Sequence, residues 1–471
     1  MYENMPYSRD LLNKLMKFID RKEILGLRGA RQVGKTTLLK ILQEKLENLK
    51  KVGNCNDFEN PKKLENTSSK IKIVFLNLDF MNLREELQQN PLAIIERYGG
   101  NENRLYLFLD EIQNVENAGM ILKFLYDEFP HIKIIFSGSS SLEIRKRILP
   151  SLVGRLFLFN LYSFSFCEFV EARDTGLRKI IDNRKKGLEK IVKTLELLKD
   201  KDKEKNYDLL HEIIDKMPKP AFVDEVIALL KEYMIWGGYP EVIKTSDGEL
   251  KKTILQNIIT LYLEKDIISF FKIRDSTKFF KLSTLLATQP GGFVVNSEIS
   301  SELHLSRNTV DSYLEILQHS YIIHLLSPYH KNLRNELRKQ EKIYFLDHGI
   351  RNALISNFTP FDNRSGPEKG CLLENFVFGE LLKKLMPYLE GYEVKYWRTT
   401  NKTEVDFVLV SKSNSLLIPI EVKLGGKKVS RGFYSFIREY GIKLAFVATL
   451  NVFKIEKHDD FTMLWIPVYY F

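Results

Sequence analysis

Eight residues constrain this chain more than any other stretch. Gly29-Ala30-Arg31-Gln32-Val33-Gly34-Lys35-Thr36 satisfies the spacing G-x-x-x-x-G-K-[ST]. Glycines at the two ends let the backbone turn tightly enough for several N–H groups to converge on one phosphate. The lysine brings positive charge to β- and γ-phosphates, and the threonine offers a hydroxyl to Mg²⁺. A helix starting there sets its positive dipole end against the anion. The flanks agree: Glu23 to Arg28 predicts a strand, and Thr37-Leu38-Leu39-Lys40 opens a helix. The expected contacts to ATP with Mg²⁺ are Gly29, Ala30, Arg31, Gln32, Val33, Gly34, Lys35, Thr36 and Thr37.

A loop of this kind belongs in an α/β sheet, and further strands are predicted at Ile71 to Leu78, Leu105 to Leu109 and Ile132 to Phe136. The last two are almost wholly apolar, as strands buried on both faces should be. Leu105 to Leu109 runs directly into Asp110 and Glu111. Acids buried at a strand tip are costly without a partner, and Mg²⁺ supplies one. Asp110 is expected to hold the ion through water alongside Thr36, and Glu111 to orient or activate the attacking water. Ser137 is either a γ-phosphate sensor or a serine in the turn Ser137-Gly138-Ser139-Ser140-Ser141. Arg155, in Leu152-Val153-Gly154-Arg155, is either an arginine finger for a neighbouring subunit or a surface arginine.

The length of 471 residues suggests two to four domains. From about Ser165 to Asp275 the pattern turns helical, with a Lys-, Glu- and Asp-rich stretch from Arg178 to Lys219 that reads as a solvated helical hairpin. The division expected is 1–165, 166–275, 276–345 and 346–471. The net charge of +10 permits a polyanionic partner without requiring one. Cys55, Cys167 and Cys371 are scattered, which argues against a zinc site or disulfide framework and fits a reducing cytosol. No signal-peptide core and no apolar run of ~18 residues is present. A soluble cytoplasmic protein without a membrane partner is the expectation.

Between Asn296 and Leu326 the pattern is helix, turn, helix, strand. Ser297 to Leu303 predicts a short helix, His304-Leu305 a turn, and Ser306 the cap of a second helix through Val310, Leu314 and Leu317. Tyr321 to Leu326 then reads as a wing strand. Ser306, Arg307, Asn308 and Thr309 at the second helix's start are the candidate DNA contacts. Asp311 and Glu315 on that helix repel phosphate, so protein packing is the other reading.

Near the end, Glu404 to Val410 predicts a strand with Asp406 at its centre, and Leu416 to Lys423 a second strand after a turn at Lys412 to Ser415. Alternation puts Glu421 and Lys423 on one face, with Ile420, Val422 and Leu424 toward the core. Asp406 and Glu421 can then chelate Mg²⁺, with Lys423 placing water or stabilising developing charge. Glu374, in a predicted helix Leu372 to Leu382, is the expected third acid. The segment resembles the PD-(D/E)xK nuclease superfamily, with Val405 where that pattern has proline before the acid.

Asp110-Glu111-Ile112-Gln113, the Ser137 turn and the Leu152 to Arg155 segment resemble AAA+-type ATPases with a C-terminal nuclease-like domain, the archaeal and bacterial group known as AAA_14 plus DUF4143. Trp236-Gly237-Gly238-Tyr239-Pro240, Tyr344-Phe345-Leu346-Asp347-His348-Gly349 and Leu373-Glu374-Asn375-Phe376-Val377 look like the second half of that group. The resemblance implies an α/β multidomain chain: a three-layer P-loop ATPase, a helical lid, a winged helix and a restriction-endonuclease-like α/β domain. Two functions compete. In the first, a homo-oligomer couples ATP turnover to binding and Mg²⁺-dependent cutting of DNA, branched or structured DNA included. In the second, it is an ATP-controlled DNA-binding switch or scaffold whose nuclease-like domain is inert.

Overall fold

The short apolar runs of the first third of the chain become parallel strands. In this computed structural model the described residues are 7–51, 71–98, 104–139, 144–183, 190–191, 212–214, 216, 220–261, 273, 275–330, 340–385, 391–399, 403–411, 416–426 and 428–471. They divide into two units, Met1–Ser163 with His319–Tyr321, and Phe164–Gln318 with Ile322–Phe471.

The first unit runs α1 (Asp10–Lys17), β1 (Ile24–Arg28), α2 (Lys35–Lys51), β2 (Ile71–Asn77), α3 (Met81–Gln89), α4 (Pro91–Tyr98), β3 (Arg104–Asp110), α5 (Ala118–Glu128), β4 (Ile132–Gly138) and β5 (Leu156–Asn160). All neighbouring strands are parallel, in the order β2-β3-β4-β1-β5. The residues of β4 are all buried, and those of β3 are buried beyond Arg104. Each such Leu, Ile or Phe contributes roughly 1.5–3 kcal/mol by leaving water. Strand β5, absent from the sequence expectation, is a half-buried edge whose apolar signal is correspondingly weak. The order has one consequence for chemistry. Because β4 lies between β1 and β3, the loop after β1, Ser137 near the end of β4 and the acids ending β3 are neighbours.

In the second unit, Ser165 caps the helix Phe166–Arg173 through a capping box with Glu168. The Arg178 to Lys219 hairpin expectation falls mostly outside the described residues. The helices Ser276–Ala287, Asn296–Leu303 and Arg307–His319 precede an antiparallel pair, β6 (Ile323–Leu326) and β7 (Lys342–Phe345). Ser306 accepts a hydrogen bond from the backbone of Thr309 at 3.1 Å, the cap expected there.

The helix Gly366–Leu385 is followed by β8 (Tyr392–Arg398), β9 (Glu404–Ser411), β10 (Leu417–Lys423), β11 (Leu444–Thr449), β12 (Lys454–Lys457) and β13 (Thr462–Pro467). They form one mixed sheet, β12-β13-β11-β10-β9-β8. Phe433, Phe436 and Ile437 of the helix Arg431–Tyr440 pack with Val405, Val408, Val447 and Trp465. The turn Lys412 to Ser415 lies outside the described residues.

Two of the motifs read from sequence meet here as a packing lock. Asp347 accepts from the backbone of Gly238 at 2.8 Å and from that of Ile350 at 3.2 Å. Asn352 donates to the carbonyls of Met234 and Ile235 at 3.0 and 2.8 Å. A Cβ on Gly349 would stand 2.2 Å from the Trp236 carbonyl oxygen, so only glycine permits this approach. These residues hold helices together rather than line a site. Among the described residues no helix is long and apolar enough to cross a membrane.

Candidate functional site

The loop after β1 is shaped by its glycines. Gly34 has φ 95° and Gln32 φ 61°, left-handed positions that let the chain curl before α2 begins at Lys35. Lys35 is buried and donates to the carbonyls of Gly29 and Ala30 at 3.1 and 2.9 Å, bracing the loop from inside. Behind the loop, the buried Arg9 donates to the carbonyls of Val33 at 2.8 Å and Tyr162 at 2.7 Å. A Cβ on Gly29 would come within 2.1 Å of the Leu161 carbonyl oxygen. Gly29→Ala is therefore expected to lower the melting temperature by several degrees and to abolish detectable ATP binding, since backbone rather than a flexible side chain must move. Thermal melting with and without ATP checks this, and an unshifted melt that still responds to ATP contradicts it.

Asp110 sits between the loop and β4. The Thr36 hydroxyl donates to its Oδ2 at 2.7 Å, and the Ser137 hydroxyl donates to its Oδ1. Ser137 in turn accepts from the backbone N–H of Glu111 at 3.2 Å. Glu111 occupies the left-handed region, φ 58° and ψ 48°, uncommon for a non-glycine residue and typical of functional positions. Gln113 donates to the Glu111 carboxylate and to Ser139 Oγ, the latter at 3.0 Å, and its Oε1 accepts from the Ser139 backbone at 3.3 Å. Hydroxyl and carboxylate in direct contact beside the phosphate loop fit a nucleotide-bound Mg²⁺, which Thr36 and Asp110 would hold. Such an ion neutralises phosphate charge when bound.

Arg155 stands elsewhere. It precedes β5, and its carbonyl accepts from Ile24, the first residue of β1, at 2.8 Å. The loop follows the other end of β1, roughly 17 Å away at 3.3 Å per residue. The Arg155 guanidinium makes a two-pronged pair with Asp127 at 2.8 and 3.1 Å. Within its own subunit it does not reach the nucleotide site.

The second cluster gathers on β9, β10 and the helix Gly366–Leu385. Ile420 lies opposite Phe407, which sets Glu421 beside Asp406. Asp406 Oδ2 accepts from the Val422 backbone at 2.7 Å. Lys423 pairs with Glu421 Oε1 at 2.9 Å, and the other Glu421 oxygen is buried with no hydrogen-bond partner. Burial, with Glu374 and Glu421 near, pushes the Asp406 carboxyl well above the usual range, and Lys342 opposes that rise. One expectation for β10 is corrected: Glu421 is buried, whereas Val422 and Leu424 are half-buried. The helix Gly366–Leu385 contacts this strand, so both faces of β10 are covered.

The expected third acid, Glu374, lies near enough for its charge to act on Asp406, and one of its oxygens is engaged from another side. Glu374 Oε1 accepts from Tyr344 at 2.5 Å and is paired with Lys342 at 3.3 Å. Among the described residues no group of three or more His, Cys, Asp or Glu side chains is placed to share a metal ion. Asp406 and Glu421 form the adjacent pair, and Glu374 has its Oε1 engaged by Tyr344 and Lys342. Lys342 is missed by the sequence reading because it stands on β7, outside the Asp…Glu-x-Lys pattern, and Tyr344 enters it only as part of a motif with no assigned role. Arg9 escaped it as a lone arginine ahead of β1.

Residues 21–170 match the family described as AAA domain. Match and geometry together support a P-loop ATPase. Residues 227–360 and 369–469 match two domains of unknown function, DUF8612 and DUF4143, and the second falls on the part of the chain where the sequence resemblance placed it. An uncharacterized protein of Haemophilus influenzae is 24% identical over 431 residues, covering 90% of this chain and 88% of its own length. One of Methanocaldococcus jannaschii is 26% identical over 441 residues, covering 90% and 81%. Among solved structures, replication initiator DnaA bound to AMPPCP and single-stranded DNA aligns with 68% of this chain and 91% of its own, at 12% identity and a TM-score of 0.26. C. elegans PCH-2 aligns with 55% and 60%, at 15% identity and a TM-score of 0.26. Those scores lie well below the level of a shared overall fold.

Proposed function

We propose that this chain is an ATP-hydrolysing protein whose nucleotide state governs DNA binding by its second unit. The observation that carries it is the position of Asp110, held between the loop hydroxyl of Thr36 and Ser137, with Glu111 next in line. That arrangement suits Mg²⁺–ATP hydrolysis. DNA enters through the helix Arg307–His319. Ser306, Arg307 and Asn308 are exposed at its start, Thr309 is half-buried, and the two strands that follow supply a wing. Asp311 and Glu315 line a cleft with Glu341 and so leave the helix's first turn as the face open to phosphate. A role for Arg155 in hydrolysis belongs to a neighbouring subunit of a homo-oligomer, after release from Asp127.

Arg307→Ala is expected to weaken binding to labelled duplex DNA by about 1–3 kcal/mol, and affinity of the parent should fall steeply with salt. Anisotropy titrations at two salt concentrations check both. Unchanged affinity in the variant would assign this helix to protein packing. A second reading, Mg²⁺-dependent cutting at Asp406 and Glu421, is favoured by the unpartnered Glu421 oxygen beside Asp406. Incubation of plasmid and branched DNA with Mg²⁺ or Mn²⁺, with and without ATP, separates the two. Nicking lost in Asp406→Ala supports cutting, and intact DNA supports the switch.

A further inference from the structure

The C-terminal carboxylates enclose a cation that the nuclease pattern does not contain. Lys342 is 2% exposed, and its ammonium lies 3.3 Å from Glu374 Oε1 and 3.3 Å from Glu404 Oε1. The rings of Phe293 and Tyr396 flank it, each centroid 5.7 Å away. A desolvated ammonium is stable only when paired and hydrogen-bonded, and here two carboxylates and two ring faces do that work. Tyr344, two residues along the same strand, fixes the same Glu374 oxygen at 2.5 Å. Glu404 is also paired with Arg398 at 3.8 Å. One Glu374 oxygen, Oε1, is thus held by β7, while the carboxylate remains near enough to raise the Asp406 carboxyl.

We propose that Lys342 is the resident countercharge of this cluster, an ammonium that takes Glu374 and Glu404 for itself and so prevents Glu374 from completing a divalent-metal site with Asp406 and Glu421. The inference rests on the switch reading, in which the cluster does not cut. It makes β7 more than a wing strand: the pair β6–β7, beside the helix proposed to meet DNA, also sets the state of the carboxylates. Removing the ammonium leaves four acids with one fewer cation, and the electrostatic gain from a divalent ion then rises.

The test uses the full chain without nucleotide and Mn²⁺ alone as the probe, with free Mn²⁺ followed by electron paramagnetic resonance. The parent and Lys342→Arg are expected to bind Mn²⁺ weakly. Lys342→Met is expected to gain one site at least about tenfold tighter, and Lys342→Met with Glu374→Gln to lose it again. Should Lys342→Met alone not fold, Lys342→Met with Glu404→Gln keeps the parent's net charge and is judged by the same gain. Binding by the methionine variant no tighter than the parent's overturns the proposal. So does a tight site already present in the parent and lost in Asp406→Asn. DNA nicking by the parent is scored separately: it overturns the switch reading, whereas a non-nicking parent with an unresponsive methionine variant overturns only the role of Lys342.

Discussion

Glu111→Gln is expected to bind ATP with nearly the parent's affinity and to hydrolyse it at least about a hundredfold more slowly. The substitution keeps size and shape while removing the carboxylate proposed to accept a proton from water. Its position survives, because what fixes Glu111 is backbone: a left-handed conformation and an N–H donated to Ser137. Gln113 remains able to hydrogen-bond the new amide. Phosphate release under saturating ATP, beside equilibrium binding of a fluorescent ATP analogue, separates the two quantities. Turnover within a few-fold of the parent would remove Glu111 from the reaction.

Lys35→Ala is expected to weaken ATP binding at least about tenfold and to abolish turnover. Two losses combine. The charge that would meet the β- and γ-phosphates is gone, and so are the donors to the Gly29 and Ala30 carbonyls that brace the loop. Both carbonyls lose a buried donor, so a modest fall in melting temperature accompanies the loss of affinity. Lys35→Arg keeps charge but brings a planar fork into a cavity built for a point charge, and is expected to bind ATP poorly as well. Unaltered binding in the alanine variant would place the nucleotide elsewhere.

The first unit was legible because its signals are local. Short apolar runs such as Leu105 to Leu109 and Ile132 to Phe136 suit strands buried on both faces, and their ends fall within a few residues of the observed ones. Ser137 could be brought toward Asp110 only by the strand order, which no single run encodes. The C-terminal cluster was legible in part. Cross-strand neighbours Asp406 and Glu421 follow from alternation and a short connection. Lys342 does not, because it arrives from a strand more than sixty residues earlier, and the burial of Glu421 depends on a helix covering the second face of β10. Arg155 shows another limit: its segment leaves finger and surface arginine equally open, because Asp127, the partner that holds it, lies on a different element.

The most direct measurement is the affinity of the chain for labelled duplex DNA in the nucleotide-free, ATP and ADP states, using the parent, Glu111→Gln and Lys35→Ala. Glu111→Gln should hold DNA at least about tenfold more tightly with ATP than with ADP, a coupling within the usual range between two sites. The parent should relax from the ATP value to the ADP value as it turns over, and Lys35→Ala should give one affinity whatever nucleotide is added. One affinity in all three proteins and all three states would contradict control of DNA binding by the site at Gly29 to Thr36.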